Sequence, residues 1–299
     1  MCSIEAYFLS DIIYNILSHL SKDDSFNFIN ISKSVMKYKH YLYRKYTFNE
    51  NILITDNELM HYIESIKSTK IIDFLKFKFD NLTTLTLDLN NSYNNTISHN
   101  DFKSALNNLP KTLITLSIAH YEFDIQLTSL PIKLKELNII SHTFNQSLNN
   151  LPSFLENLNV ISRFFNQSLD KLPINLRNLY IRSSNFNQQL DNLPLTLKLL
   201  KIGYSMFNHP INNLPSLLEN LYIYSNNFDH SLDNLPSNLK NLNVYTHKFI
   251  SLDNLPKTLK SLTIFCREHD KKIDFKYLSN LISLKIANKS TIQHTFPSM

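Results

Sequence analysis

Between residues 102 and 264 the apolar positions return on a fixed clock. Eight Leu-Pro pairs end at Pro110, Pro131, Pro152, Pro173, Pro194, Pro215, Pro236 and Pro256, 21 residues apart except for a last step of 20. A phenylalanine keeps the same time at Phe102, Phe123, Phe144, Phe165, Phe186, Phe207, Phe228 and Phe249. Three residues after each proline stands a leucine (Leu113, Leu134, Leu155, Leu176, Leu197, Leu218, Leu239, Leu259), and three later another, Leu116 through Leu262. Two further on comes Ile118, Ile139, Val160, Ile181, Ile202, Ile223, Val244 or Ile264. These last three positions alternate core and non-core, the period of a strand with one face inward, and β-branched residues favour that state. Each repeat thus predicts one short strand. Units this regular bury only the face they share with their neighbours, so the chain is expected to be a stacked array.

Twenty-one residues leave no comfortable room for a return helix, so the far side of each coil is expected to be extended or 3₁₀. Proline enforces this: its ring fixes φ, pushes the preceding leucine into the extended region and offers no N–H to a ladder, so the Leu-Pro step belongs at a turn. The phenylalanine and the residue four later (Leu127, Leu148, Leu169, Leu190, Ile211) are expected to form an apolar spine on that side. Deleting one such side chain should cost roughly 2 to 5 kcal/mol. Directly after the phenylalanine runs a column of Asp124, Asn145, Asn166, Asn187, Asn208 and Asp229. Its expected work is structural, bonding turn backbone and the next coil. A metal column is disfavoured because amides predominate where converging charged oxygens would be needed.

The run Phe186-Asn187-Gln188-Gln189-Leu190-Asp191-Asn192-Leu193-Pro194, like Phe165-Asn166-Gln167-Ser168-Leu169-Asp170-Lys171-Leu172-Pro173, resembles the FNIP repeat, a short leucine-rich-repeat variant of amoebae and the giant DNA viruses that infect them. Degenerate coils extend the array at Leu82, Leu85 and Leu87, followed by an insertion near residues 88 to 101, and at Leu281, Leu284 and Ile286. The expected fold is a leucine-rich-repeat solenoid with a parallel β-sheet on the concave face and an irregular or 3₁₀ convex side. At ~4.8 Å per strand its roughly ten coils would span about 45 to 50 Å.

Strand positions pointing away from the core differ along the array. Early coils offer Ser117, Asn138, Asn159, Ala119, Ile140 and Ile161, whereas later ones offer Tyr180, Arg182, Tyr204, Tyr222, Tyr224, Tyr245 and Phe265. Tyrosine brings contact area and a hydroxyl at low entropy cost, which makes this aromatic ladder a candidate partner-binding face. The competing reading is that cross-strand aromatic pairs only stabilise the sheet. With Arg182 and Lys201 as the main cations there, a nucleic-acid groove is disfavoured, since phosphate binding needs many.

Ahead of the array the spacing turns helical. Ile12, Ile13, Ile16, Leu17 and Leu20 follow i, i+3, i+4 order with Ser10 as a candidate cap; Asp23 and Asp24 could open a second helix carrying Phe26, Phe28, Ile29 and Ile31, and Ser32 a third. On pattern alone this is a helical cap for the solenoid. The order Phe8-Leu9-Ser10-Asp11-Ile12-Ile13-Tyr14-Asn15-Ile16-Leu17-Ser18-His19-Leu20, with Asp24 and Ile31-Ser32-Lys33, is also similar to an F-box. It departs from that family where Phe8-Leu9 replaces Leu-Pro, Asp11 replaces Glu, and Ser25 stands for a hydrophobe. The resemblance implies that Phe8, Leu9, Ile12, Ile16, Leu17 and Leu20 mix fold core with a surface docking a Skp-type adaptor of a cullin ubiquitin ligase. Beyond it Lys37, Lys39, His40, Arg44 and Lys45 interleave with Tyr38, Tyr41, Tyr43 and Tyr46, which reads as a solvated helix face.

Composition narrows the remaining classes. The chain is 43% hydrophobic and 18% charged, enough apolar content for a folded protein. Its one glycine, Gly203, excludes Gly-rich phosphate loops and dinucleotide fingerprints. Two distant cysteines, Cys2 and Cys266, fit a reducing compartment, and residues 1 to 20 lack the basic, then apolar, layout of a signal peptide. No run approaches the ~20 apolar residues of a membrane span. A cytoplasmic location is expected, the host's if the chain is viral. The formal charge of +5 is mild and interspersed, so neither nucleic acid nor membrane is an expected partner.

Chemistry is sparse. The eleven histidines do not cluster as ligands. Cys266 has His269 and Asp270 nearby but no oxyanion element, and the roughly 35 residues after it leave no room for the ligase domains that some bacterial effectors with similar repeats carry. No metal, cofactor or catalytic residue is expected. The domains expected are an F-box-like helical domain at 1–46, a connector and N-terminal cap at 47–81, the solenoid at 82–290 with eight regular coils in 102–264, and a tail at 291–299. The expected function is a non-enzymatic substrate receptor, whose F-box docks the adaptor and whose repeats capture a target protein. The alternative is a plain scaffold or inhibitor whose helical segment is only a cap.

Overall fold

The computed structural model describes residues 19, 48–49, 63, 65–68, 79–90, 97–248, 252, 254–266, 278–287 and 292–293. Of the helical domain expected at 1–46 only residue 19 is among them, and of the tail expected at 291–299 only 292–293. The chain divides into two compact units, Met1–Thr115 and Leu116–Met299.

In the first unit, β1 (Phe48–Asn49), β2 (Ser65–Ser68) and β3 (Thr84–Asp88) pair parallel in chain order, so strands already occur in the segment expected to be a connector and cap. Ile66, Leu82, Leu85 and Leu87 are buried. A helix α1, His99–Asn107, follows, where the sequence predicted an irregular far side. Its cause is local. Ser98 accepts the Asp101 N–H at 3.2 Å while Asp101 accepts the Ser98 N–H at 3.1 Å, a reciprocal box that satisfies free donors at the helix start. Phe102, Ala105 and Leu106 form its one buried face. Here the residue after the phenylalanine is Lys103, so the amide that shapes the other coils is missing.

The second unit is a parallel β-solenoid. β4 (Thr115–Ala119) opens it, followed by β5 (Glu136–Ser141), β6 (Asn157–Ser162), β7 (Asn178–Arg182), β8 (Leu199–Ser205), β9 (Asn220–Ser225), β10 (Asn241–Tyr245), β11 (Ser261–Phe265) and β12 (Ser283–Ala287). From β5 to β12 each strand pairs parallel with the next, leucine on leucine and Ile/Val on Ile/Val. A short β13 (Ile292–Gln293) closes that edge antiparallel to β12. The inward residues, Leu137 and Ile139 through Leu262 and Ile264, are at most 2% exposed. Between the strands the described residues form turns and irregular chain, without α-helix.

Each proline carbonyl accepts the N–H of the leucine three residues on, at 3.0 to 3.2 Å, which makes the Leu-Pro step the start of a tight turn. Behind the sheet Phe123, Phe144, Phe165, Phe186, Phe207 and Phe228 stack with centroids 5.8 to 6.3 Å apart and planes within 16°. Strands repeat at about 4.8 Å. The spine is therefore the longer side of each step, and the strands of this unit lie on the inside of its bend.

Two polar ladders run beside the spine. In the Asx column each Oδ1 accepts the backbone N–H of the equivalent residue one coil on: Asp124 from Asn145 at 2.8 Å, Asn145 from Asn166, Asn166 from Asn187 and Asn187 from Asn208 at 2.9 Å, and Asn208 from Asp229 at 3.2 Å. The bond to the next coil is the one expected, although these side chains are half-buried or exposed. The second ladder is deeper and was not anticipated. Ser141, Ser162, Ser183, Ser225 and Thr246 are buried, and each hydroxyl donates to the carbonyl of the preceding coil's phenylalanine at 2.5 to 2.8 Å. Several also accept an N–H two residues on, as Ser183 does from Asn185 at 3.2 Å.

Candidate protein-interaction face

Regular pairing places the outward residues of the second unit in rows. One row reads Asn159, Tyr180, Lys201, Tyr222 and Asn243; the next reads Ile161, Arg182, Gly203, then Tyr224, Tyr245 and Phe265. All seven residues expected on the partner-binding face are on this side. Phe8, Leu9, Ile12, Ile16, Leu17 and Leu20, expected to dock an adaptor, lie outside the described residues.

One irregularity shapes the face. β8 and β9 run in register from Leu199↔Asn220 to Ile202↔Ile223, then resume at Ser205↔Ser225. Gly203 and Tyr204 together oppose Tyr224 alone, which is a β-bulge. Tyr204 has φ 51, a left-handed conformation that costs a side-chain-bearing residue roughly 1 to 2 kcal/mol. Gly203 takes the outward slot without filling it: a Cβ there would lie 3.5 Å from the Tyr180 ring, which covers it. The displaced Tyr204 swings out to 69% exposure.

The bulge gathers a cluster. Tyr204 stacks on Tyr224 with centroids 6.4 Å apart, and the Arg182 guanidinium lies 4.5 Å from the Tyr204 centroid. Lys201 Nζ lies 4.7 Å from the Tyr180 ring, 5.8 Å from Tyr224 and 6.0 Å from Tyr222. Cation–ring contacts of this kind are worth about 0.5 to 2 kcal/mol, depending on desolvation. Burial, and after it the neighbouring tyrosines, pushes the Tyr224 hydroxyl above its usual range. Beside this cluster Tyr245 stacks on Phe265 at 4.5 Å and 5°. Neither row carries a carboxylate between Asn159 and Phe265. At the margin, Asn159 Oδ1 is buried without a hydrogen-bond partner.

Lys201 is the side chain around which the tyrosines gather, whereas sequence reasoning treated it only as one of two basic residues. A signal was present: Ser183 to Ser205 is 22 residues and Ser205 to Ser225 is 20, a compensated slip at the only glycine. A second aromatic group was missed, because it sits beyond the strand ends. Tyr121 stacks on His142 at 4.5 Å, His142 meets Phe164 edge-on at 5.2 Å, and Arg163 lies 5.7 Å from the Phe164 centroid.

Cys266 is buried, and burial pushes its thiol up, away from the reactive thiolate. Among the described residues no three His, Cys, Asp or Glu side chains are grouped to hold a metal, and no helix is long and apolar enough to cross a membrane.

The FNIP Repeat family model matches residues 165–205, the stretch from the spine phenylalanine of one coil through the bulge of the next. A solved structure described as CroV588, a novel circular LRR protein structure, is similar at 25% identity and a TM-score of 0.55, over 76% of this chain. This chain spans about a third of that one, 33% of its length. No curated protein matches. The chain is a repeat protein with a leucine-rich-repeat-like parallel solenoid that contains an FNIP repeat match.

Proposed function

We propose that the chain is a protein-capture module without catalysis of its own, the substrate receptor of a Skp-cullin-F-box type ubiquitin ligase. The carrying observation is the cluster of Tyr180, Arg182, Lys201, Tyr204, Tyr222 and Tyr224, where a strained bulge lifts an aromatic ring out of an otherwise regular sheet. Backbone strain persists where surrounding structure holds it, and such sites concentrate at ligand contacts. Four tyrosine rings with two cations and no carboxylate suit a target surface that presents carbonyl, carboxylate or aromatic groups. The adaptor half of the proposal rests on the F-box resemblance of residues 8 to 33 alone.

A purely structural role has its own support, since Lys201 and Arg182 already face tyrosine rings of the same chain. Proximity labelling in expressing cells, followed by recombinant binding, separates the two. Tyr222→Ser, Tyr224→Ser and Tyr245→Ser together should abolish target capture while the repeats stay folded; capture retained by the folded triple variant refutes the capture face. Ile16→Asp with Leu17→Asp should abolish co-purification of the adaptor, and equal adaptor on both proteins, with the repeats folded, refutes the F-box.

A further inference from the structure

The two central residues of each post-proline turn have no inward task. In five successive coils of the second unit one of them is a large apolar residue: Ile132 (66% exposed), Phe154 (54%), Ile174 (72%), Leu195 (74%) and Leu217 (48%). Their polar companions hold the turns. Asn175 Nδ2 donates to the Ser153 carbonyl at 2.9 Å, and Thr196 Oγ1 to the Ile174 carbonyl at 2.6 Å. The next coil has Ser237 and Asn238 in these positions, so the ridge ends as the fold continues unchanged. About half or more of each of these side chains faces outward, where it adds nothing to the core. Together they expose on the order of 500 Å², a patch size that marks contact sites on soluble chains.

Two or three residues beyond the ridge, across the buried leucine, runs a column of charges: Lys135, Glu156, Arg177, Lys198 and Glu219. Glu156 pairs within the chain with Lys135 at 3.0 Å and more loosely with Arg177 at 3.8 Å, and Glu219 pairs with Lys240 at 2.6 Å. Reversed about Arg177, the column sets Lys135 against Glu219 and Glu156 against Lys198, opposite signs at every position but the centre. The same reversal sets Ile132 against Leu217, Phe154 against Leu195, and Ile174 against itself.

We propose that this ridge is a self-association surface, on which a second copy of the chain docks antiparallel about a two-fold axis crossing the ridge at Ile174 and Arg177. An isologous contact needs a surface complementary to its own reversal; the ridge meets that condition throughout and the column at every position but Arg177, which faces its own copy. A second copy also has the same coil spacing, so all five apolar positions meet partners. A parallel copy would set like charges face to face.

The test is sedimentation of the full chain over about 1 to 100 µM, with thermal melting followed in parallel. The wild type should show a reversible monomer–dimer equilibrium, and Ile174→Asp with Leu195→Asp a monomer with the wild-type melting transition. Lys135→Glu and Glu219→Lys should each weaken association about tenfold, and the two combined in one chain should restore it to within about threefold. Positions 135 and 219 are four strands apart, ~19 Å, so they can rescue each other only across copies. A wild type that stays monomeric throughout overturns the proposal, as does a double variant that associates no better than either single one.

Discussion

Replacing Ser183 with alanine is the sharpest probe of how the coils are joined. The hydroxyl is 2% exposed, donates to the Phe165 carbonyl at 2.7 Å with the Arg163 carbonyl at 3.0 Å as a second acceptor, and accepts the Asn185 N–H at 3.2 Å. Alanine removes both functions and leaves no room for a replacement water. A buried backbone group left unpaired costs about 1 to 3 kcal/mol; the Phe165 carbonyl is orphaned and the Asn185 N–H partly so, giving about 2 to 3 kcal/mol. Ser205 is the internal control. It occupies the same column, 8% exposed, but the bulge leaves its hydroxyl only a 3.5 Å contact with the Tyr224 carbonyl, so Ser205→Ala should cost no more than about 0.5 to 1 kcal/mol. Urea unfolding by far-UV circular dichroism measures both, with tyrosine fluorescence as a second signal because the chain has no tryptophan. Equal slopes are needed before the midpoints are compared, since long arrays can lose cooperativity. Equal costs for the two substitutions, or a cost below about 0.5 kcal/mol at Ser183, would refute the claim that these hydroxyls couple the coils.

Phe186→Ala, which removes a fully buried ring stacked between Phe165 and Phe207, should destabilise by about 3 to 5 kcal/mol in the same urea assay, whereas Phe186→Leu should recover much of that. The raised Tyr224 hydroxyl sets an alkaline limit: folding favours its protonated form, so its contribution is intact below the unfolded value near 10 and is lost as pH climbs through the higher folded one. Ultraviolet titration should show a late-forming tyrosinate in the wild type that is lost in Tyr224→Phe.

Spine and sheet were legible because both rest on residues that can do only one thing in a repeat. Leu-x-x-Leu-x-Ile/Val cannot point its apolar set anywhere but inward without exposing all of it, and Leu-Pro cannot continue a strand. The Ser/Thr column kept the same clock and was still passed over, because a serine buried for its hydroxyl has the same spelling as one exposed to water. Helix α1 escaped for a related reason: Phe102 and Leu106 fit the repeat as well as they fit i, i+4, and Ser98 with Asp101 decided between them. Tyr180, Arg182, Tyr222 and Tyr224 could be placed on one face by alternation alone. Tyr204 was placed there too, but through a mechanism that alternation does not contain: its position in the repeat is that of the buried Ser183, and only the extra residue at the bulge turns it outward.

The Asx ladder bears on how such a chain changes over generations. Every amide in it supplies the acceptor for its successor and takes its own from its predecessor, so in this ladder no coil is chemically complete by itself. A duplication or deletion of one whole unit between Asp124 and Asp229 leaves each donor with an acceptor, and the phenylalanine stack and hydroxyl column close up across the same seam. An insertion of any other length breaks three ladders at once. Copy number can therefore drift by recombination at almost no cost to folding, while the outward tyrosines and the turn tips diverge freely, and the length of the surface offered to other molecules becomes something a lineage can adjust in single steps.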